Sequence, residues 1–294
     1  MAIVGSGSGW HSQALAEAAR RRGHEPILVA YRQLVGEVAV GHGSDRLAAQ
    51  GGVDLFGVDR VIVRSVPAGS LEQVILRVDA LHRLELAGVK VLNPARAIES
   101  SVDKYLASAR LSALGLRVPR TMVAERASDM VAAFEQLGGD VVIKPLFGSE
   151  GKGIVRVNDR QIALRVAQTL EQMQAVGFLQ EFIPHEGFDL RAYVLGDQVI
   201  ASMRRWAAPG DFRSNVSQGG RAERVELSSE LVEQAVAATR AVGAAMGGVD
   251  LLPASDGSVY VLEVNSSPGF RALAEVTGED VAGRTIEFAA RGTW

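Results

Sequence analysis

Hydrophobic positions along the chain recur at two periods, two and about 3.6, and the switches between them mark most of its elements. Short apolar runs at residues 2–4, 26–30, 58–64 and 89–92 read as strands. Between them, residues 12–22 and Leu71–Leu86 repeat at helical spacing. Leu71, Val74, Ile75, Val78, Leu81 and Leu84 make the second helix strongly amphipathic, and Gly23 and Gly88 close the two. This predicts an α/β unit over residues 1–93, ended by Asn93-Pro94. Beyond it, residues 95–113 read as helices, 128–137 as a helix capped by Ser128, and 160–176 as another. Residues 178–183 form a strand, and 189–195 with 198–203 a hairpin over Gly196-Asp197. Residues 229–245 and 279–290 are helical in pattern.

The most informative pattern spans residues 248–269 and predicts a β-hairpin. Residues 249–252 are apolar, Asp256-Gly257 suits a two-residue turn, and 258–264 alternate. If Asp256 and Gly257 occupy the turn, Asp250 pairs with Glu263, with Cβ atoms about 5 Å apart on one face. Asn265 follows by the period of two. Opposed carboxylates repel unless something lies between them. Oxygen-only donors in so small a number suit Mg²⁺ or Mn²⁺. The competing reading is a solvated hairpin with incidental acids, because Pro253 can lengthen the turn and shift the register.

Composition narrows the classes. At 294 residues, with 47% hydrophobic and 22% charged positions, the chain has room for a large core and more than one domain. A net charge of −3 provides no global basic field for nucleic acid or membrane. The absence of cysteine removes disulfides, thiolate metal sites and a cysteine nucleophile together. His11, His24, His42, His82 and His185 have no metal-ligand spacing. No apolar run approaches the ~18 residues of a membrane span, and no signal-peptide pattern precedes the first strand, so a cytoplasmic protein is expected. The opening glycines at 5, 7 and 9 do not give GxGxxG, since residue 10 is Trp, and Ala30-Tyr31-Arg32 lacks the ribose-binding acid. A glycine loop that turns the chain is the better reading.

A second stretch, residues 140–157, reads strand, glycine-rich loop, strand. Lys144 ends an apolar strand, and the loop 148–153 offers backbone N–H groups suited to phosphates. It is not a Walker loop: the GK-[ST] ending is missing and a strand follows. A snorkelling lysine beside a hairpin tip is the plain alternative.

Taken in order, VVIKPLFGSEGKGIVRV, LQEFI, GDFRSN, GGVD and LEVNSSPG resemble the motifs of ATP-grasp carboxylate–amine ligases, most closely the RimK-type branch. The likeness runs from about Asn93 to the end. It implies an α/β (α+β) three-domain ATP-grasp fold: a Rossmann-like domain over residues 1–93, then two α+β domains, 94–178 and 179–294, that clamp ATP. By resemblance, Lys104 and Lys144 contact nucleotide phosphates, and Gly148, Ser149, Gly151 and Gly153 belong to the lid. Glu181, Phe182 and Ile183 receive adenine. Asp189 is the ribose-side acid, with Glu186 as the alternative, since the chain is one residue shorter there than the family pattern. Arg213, Ser214 and Asn215 lie beside the nucleotide, and Arg204 with Arg213 and Lys144 serves the reacting groups. Asp250, Glu263 and Asn265 match the metal ligands, for two Mg²⁺ (or Mn²⁺) ions.

The implied chemistry is a carboxylate attacking the γ-phosphate of ATP, followed by an amine displacing phosphate from the acyl phosphate. Residues 64–93 resemble tetrahydromethanopterin α-L-glutamate ligases, which implies L-glutamate and a small-molecule coenzyme carboxylate as partners, with no nucleic acid or membrane. Modification of a ribosomal-protein C-terminus and a biosynthetic ligase acting on a carrier protein are the alternatives. A non-catalytic ATP-binding regulator is the reading from a different class. Family members are often homodimers or homotetramers.

Overall fold

A computed structural model describes residues 1–39, 45–148, 153–214 and 219–294. Its first unit holds β1 (Ala2–Gly5), α1 (Trp10–Arg21), β2 (Ile27–Ala30), a small hairpin of β3 (Val35–Glu37) and β4 (Arg46–Ala48), then β5 (Arg60–Val63), α2 (Leu71–Leu86) and β6 (Lys90–Leu92). The four parallel strands lie in the order β2-β1-β5-β6, so connectivity reverses between β1 and β5. Helix α2 has the predicted bounds because its start is doubly fixed: Ser70 Oγ accepts from the Gln73 amide at 3.3 Å and Gln73 Oε1 from the Ser70 amide at 3.2 Å.

Next come α3 (Ala95–Val102), α4 (Lys104–Ala113), β7 (Thr121–Ala124), α5 (Ala127–Gln136), β8 (Val141–Pro145), β9 (Val155–Val157), α6 (Arg160–Gln172) and β10 (Gly177–Glu181). Strands β7-β10-β8-β9 form an antiparallel sheet whose core includes Met130, Phe134, Ile143 and Leu179. The expected Ser128 cap is not formed: Arg126 occupies the N-cap of α5 without a side-chain bond, and Ser128 Oγ turns to Asp129 at 3.4 Å.

The third sheet, β13-β12-β11-β14-β15, comprises β11 (Phe188–Leu195), β12 (Gln198–Trp206), β13 (Arg221–Arg224), β14 (Met246–Pro253) and β15 (Val259–Asn265). Helix α7 (Ser229–Ala241) precedes β14, and α8 (Arg271–Thr277) and α9 (Val281–Arg291) end the chain. One face of this sheet buries Leu190, Val249, Leu251 and Val261 against Ala235 of α7, Ala97 of α3 and Leu111 of α4. The other presents Tyr193, Met203 and Met246 to Ile3, Leu15 and Ile62 of the first unit.

Packing and pairing cross between the units. Helices α3 and α4 cover the third sheet, β10 continues the second sheet to Glu181, and α9 returns to α1. Arg22 ties that return, meeting Asp280 at 3.0 Å and Glu287 at 2.9 Å. A helix stripe buries itself on whichever sheet face lacks cover, and sequence order does not say which. Asn93, fully buried, joins the first unit to the third sheet. Its Nδ2 donates to the Met246 and Ser266 carbonyls, each at 2.6 Å, and its Oδ1 accepts from the Ala245 and Met246 amides, each at 2.8 Å. Among the described residues no helix is long and apolar enough to cross a membrane.

Candidate active site

The β14–β15 hairpin has the expected Asp250–Glu263 pair, but by a different route. The loop holds three residues, not two: the Ala254 amide donates to Ser258 O at 2.8 Å, and Gly257 takes φ +83°, which favours glycine. That shifts the pairing by one, to Pro253–Val259 and Leu251–Val261. A bulge at Leu262 shifts it back. Two consecutive residues, Leu262 and Glu263, then face the same cleft, which strict alternation forbids. Asn265 lies beside Glu263, its Nδ2 donating to Glu263 Oε1 at 2.9 Å, which leaves Asn265 Oδ1 for a cation.

The cleft is lined by apolar Pro119, Val142, Ile183, Leu252 and Leu262 and by charged Lys104, Lys144, Asp250 and Glu263. Lys144 comes from β8 and donates to Gln180 Oε1 at 2.6 Å; Gln180 Nε2 in turn donates to Thr121 Oγ1 at 3.0 Å. Burial pushes the Lys144 ammonium down to about 8, against the opposing pull of Glu263. Burial lowers Lys104 too, with Glu263 and Asp103 opposing. Lys104 sits at the first turn of α4 because Asp103 caps that helix, accepting from the Tyr105 and Leu106 amides at 2.9 and 3.0 Å. Its Nζ donates to Gly148 O at 2.8 Å, at the near end of the glycine loop.

Two acids and two arginines form the buried wall. Arg205 grips Asp189 with a fork, Nε to Oδ1 at 2.7 Å and Nη2 to Oδ2 at 2.6 Å, and reaches Asp250 Oδ2 at 2.9 Å. Arg191 forks onto Asp250, Nε to Oδ1 and Nη2 to Oδ2, the latter at 2.8 Å. Burial alone would raise the Asp250 carboxyl, but Arg191 and Arg205 outweigh it and hold the group below the usual carboxylate range. For Arg205, burial acts downward and the two acids carry it upward.

Arg204, expected at the reacting groups, points to the other face. It meets Glu223 at 3.3 Å and stacks on Phe188 and Trp206 at 4.7 and 5.5 Å. A two-residue turn at Gly196-Asp197 would set Arg204 across from Asp189. A bulge at Ile200 moves the ladder by one and brings Arg205 there instead. Sequence reasoning missed Arg205, Arg191 and Gln180; the period of two from Asp189 marks Arg191, while the bulge hides Arg205.

The remaining expected residues are placed as follows. The Glu181 and Phe182 amides donate to Arg120 O and Asp140 O, each at 2.9 Å, and among the described residues the Ile183 amide has no backbone partner. The Arg156 guanidinium lies 3.4 Å over the Phe182 ring. Asp189 is buried in its ion pair, whereas Glu186 is exposed and does not line the cleft. Arg213 pairs with Asp211 at 2.7 Å, and both Arg213 and Ser214 line the cleft. Gly148 and Gly153 flank the lid; Ser149, Gly151 and Asn215 lie outside the described residues.

The donor set fits Mg²⁺. Glu263 and Asn265 Oδ1 offer hard oxygens. Asp250, with three of its roughly four lone-pair positions taken, keeps one. Comparison with known proteins decides the family. The pattern of the RimK-like ATP-grasp domain matches residues 101–289. The chain belongs to the RimK-like ATP-grasp family. This ligase is 36% identical over 291 residues, 98% of its length and 94% of the relative's, to a Shewanella amazonensis protein named "Probable alpha-L-glutamate ligase 1". It is 33% identical to the tetrahydromethanopterin:alpha-L-glutamate ligase of Methanosarcina acetivorans, over 95% of this chain and 94% of that one. The ATP-grasp ligase PsnB, solved with minimal precursor, Mg and ADP, superposes at a TM-score of 0.76 with 25% identity, covering 99% and 97% of the two chains. As a member of this family, the protein is an ATP-dependent carboxylate–amine ligase.

Proposed function

We propose that this RimK-like ligase joins L-glutamate to a carboxyl group of a small coenzyme-like acceptor, through an acyl phosphate made with ATP. The observation that carries the reading is Glu263, hydrogen-bonded by Asn265 and sharing with Lys104 and Lys144 a cleft that also has an apolar lining. A purine fits among Val142, Ile183, Leu252 and Leu262, with the Ile183 amide donating to it. Lys104 and Lys144 then meet the phosphates. Glu263, Asn265 and Asp250 would hold two Mg²⁺ (or Mn²⁺) ions, which supply charge neutralisation across the transferring phosphoryl group. Arg205, which lines the cleft with its fork fixed by Asp189, meets the negative charge that builds on the acyl oxygen as the amine attacks the acyl phosphate. No side-chain nucleophile is required, consistent with a chain that has no cysteine. The named relatives acting with glutamate, one of them on a pterin coenzyme, support the substrate class.

The test is an ADP-release screen with Mg²⁺ and ATP, offering L-glutamate, L-aspartate and L-lysine against pterin, flavin-like and peptide carboxylates, with products weighed by mass spectrometry. The expected product is an acceptor heavier by one or more glutamyl units. The peptide arm follows from PsnB, which has been solved with a precursor peptide. ADP release that needs no carboxylate acceptor would contradict the reading.

Lys144 sets a pH limit on this activity. Its folded proton is lost near pH 8, whereas an unfolded lysine keeps its proton to about 10.4. The value of kcat/KM for ATP, which reports the free enzyme, is expected to fall as pH rises through about 8. Stability moves the other way: between about 8 and 10 the unfolded chain binds the extra proton, so the penalty for burying this cation is relieved as pH rises. Initial rates at subsaturating ATP from pH 6.5 to 9.5 check the first; Lys144→Met should be slow throughout and lack that alkaline limb.

A further inference from the structure

Arg64 follows β5 at the seam where the parallel sheet reverses its connectivity. In open α/β sheets that crevice, outside the carboxyl ends of the strands, is where ligands sit. Segments 5–9 and 64–69 meet there with 266–270, which follows β15. Gly5 packs so closely on the second that an added Cβ would lie 3.1 Å from Ser65 Oγ and 3.4 Å from Arg64 Cβ. Arg64 Nη1 donates to Ser267 O at 2.6 Å, and Ser267 Oγ donates to Val63 O at 2.9 Å, so the third segment is held against the first sheet.

Arg64 is half-buried, and that burial lowers its proton affinity. Yet among the described residues no carboxylate lies within ion-pair distance of it, in contrast to Arg191 and Arg205. A guanidinium carries five N–H donors, and here one bond to a carbonyl is formed. The others are not sealed in protein: among the described residues the sealed, unpaired side-chain atoms are Tyr31 Oη, Arg60 Nε and Arg204 Nε. The surroundings are basic as well. His11 is pushed down to about 4 by burial, then by Arg64 and Arg271, and its Nε2 accepts from the Phe270 amide at 3.1 Å. Glu275 is engaged by Arg271 at 3.0 Å. A half-buried cation with open donors and, among the described residues, no acid beside it is arranged for an anion brought from outside. From Ser267 back to Glu263 is four residues, at most about 14 Å of extended chain, so the arginine lies within one small substrate's reach of the phosphate end.

We propose that Arg64, where the first sheet meets residues 266–270, anchors a substrate carboxylate that does not itself react. This rests on the ligase reading above and adds to it the residue that selects a dicarboxylic partner. The carboxylate belongs either to the incoming glutamate or to the tail of the acceptor. Calorimetry on the full chain loaded with Mg²⁺ and AMPPNP, titrated separately with L-glutamate and N-acetyl-L-glutamate, distinguishes them. Arg64→Gln is expected to weaken one of the two tenfold or more, with partial recovery in Arg64→Lys. Loss for L-glutamate alone identifies the incoming amino acid, and loss for the acetylated compound identifies the acceptor tail. Binding of both within twofold of wild type in Arg64→Gln, or no uptake of either by the wild-type chain, overturns the proposal. AMPPNP is titrated into every variant first. Unchanged nucleotide affinity shows that Arg64→Gln is folded, and a wild-type chain that takes up no AMPPNP would sink the ligase reading instead.

Discussion

Glu263→Ala is expected to lower acceptor-dependent ADP release about a thousandfold or more, with a melting temperature close to wild type. The two halves of this result have separate causes. Glu263 is half-buried, and among the described residues its side-chain partner is the Asn265 amide at 2.9 Å, so truncation removes one hydrogen bond and little packing. A net loss of about 1 kcal/mol is the usual scale for such a bond. The catalytic loss is larger because Glu263 is the carboxylate among the metal candidates for which the described residues show no arginine ion pair. Removing the charge stabilisation of a bound ion costs several kcal/mol, and about 4 kcal/mol is a thousandfold in rate. The change also takes away the negative charge that both lysines face, so the Lys144 proton affinity falls further. Steady-state ADP release and a thermal melt on the same preparation suffice. Turnover at the wild-type rate would remove Glu263 from the metal site.

What the sequence allowed and what it hid divide along a physical line. Leu71–Leu86 was readable to the residue because its apolar period and its Ser70–Gln73 capping box are local signals. The Asp250–Glu263 pair was readable only because two departures cancel: a loop one residue longer than the two-residue turn, and the Leu262 bulge that restores the register. In the neighbouring hairpin the turn is as expected, nothing cancels the Ile200 bulge, and Arg205 takes the place assigned to Arg204. Bulges are set by packing on both faces of a sheet, and one strand's pattern does not carry that information. Strand β13 reads Arg-Ala-Glu-Arg, with no apolar run to mark it as a strand. The packing of α3 and α4 on the third sheet depends on which face is left open, a property of the assembled fold.

Asp250→Ala is expected to damage stability as well as activity, which sets it apart from Glu263→Ala. Asp189, Arg191, Arg205 and Asp250 form a charge-balanced set of two acids and two arginines, each residue less than 9% exposed. Deleting one acid leaves a buried cation without its counter-charge, which typically costs 3–5 kcal/mol, of order 10 °C in melting temperature for a chain of this size. The sign with pH follows from the same pairing. The folded Asp250 carboxyl is held below its unfolded value, so its contribution is present above about pH 4 and lost as pH falls toward the folded pKa. Restoring the balance tests the account: in Asp250→Ala combined with Arg191→Met, the Arg205–Asp189 fork remains and no arginine is stranded. That double variant should recover much of the melting temperature while ADP release stays low, because the ion still lacks its second carboxylate. A single variant that melts with wild type would show that the four-residue set is not what holds the wall of the cleft. A double variant with normal turnover would show that the ion does not use Asp250.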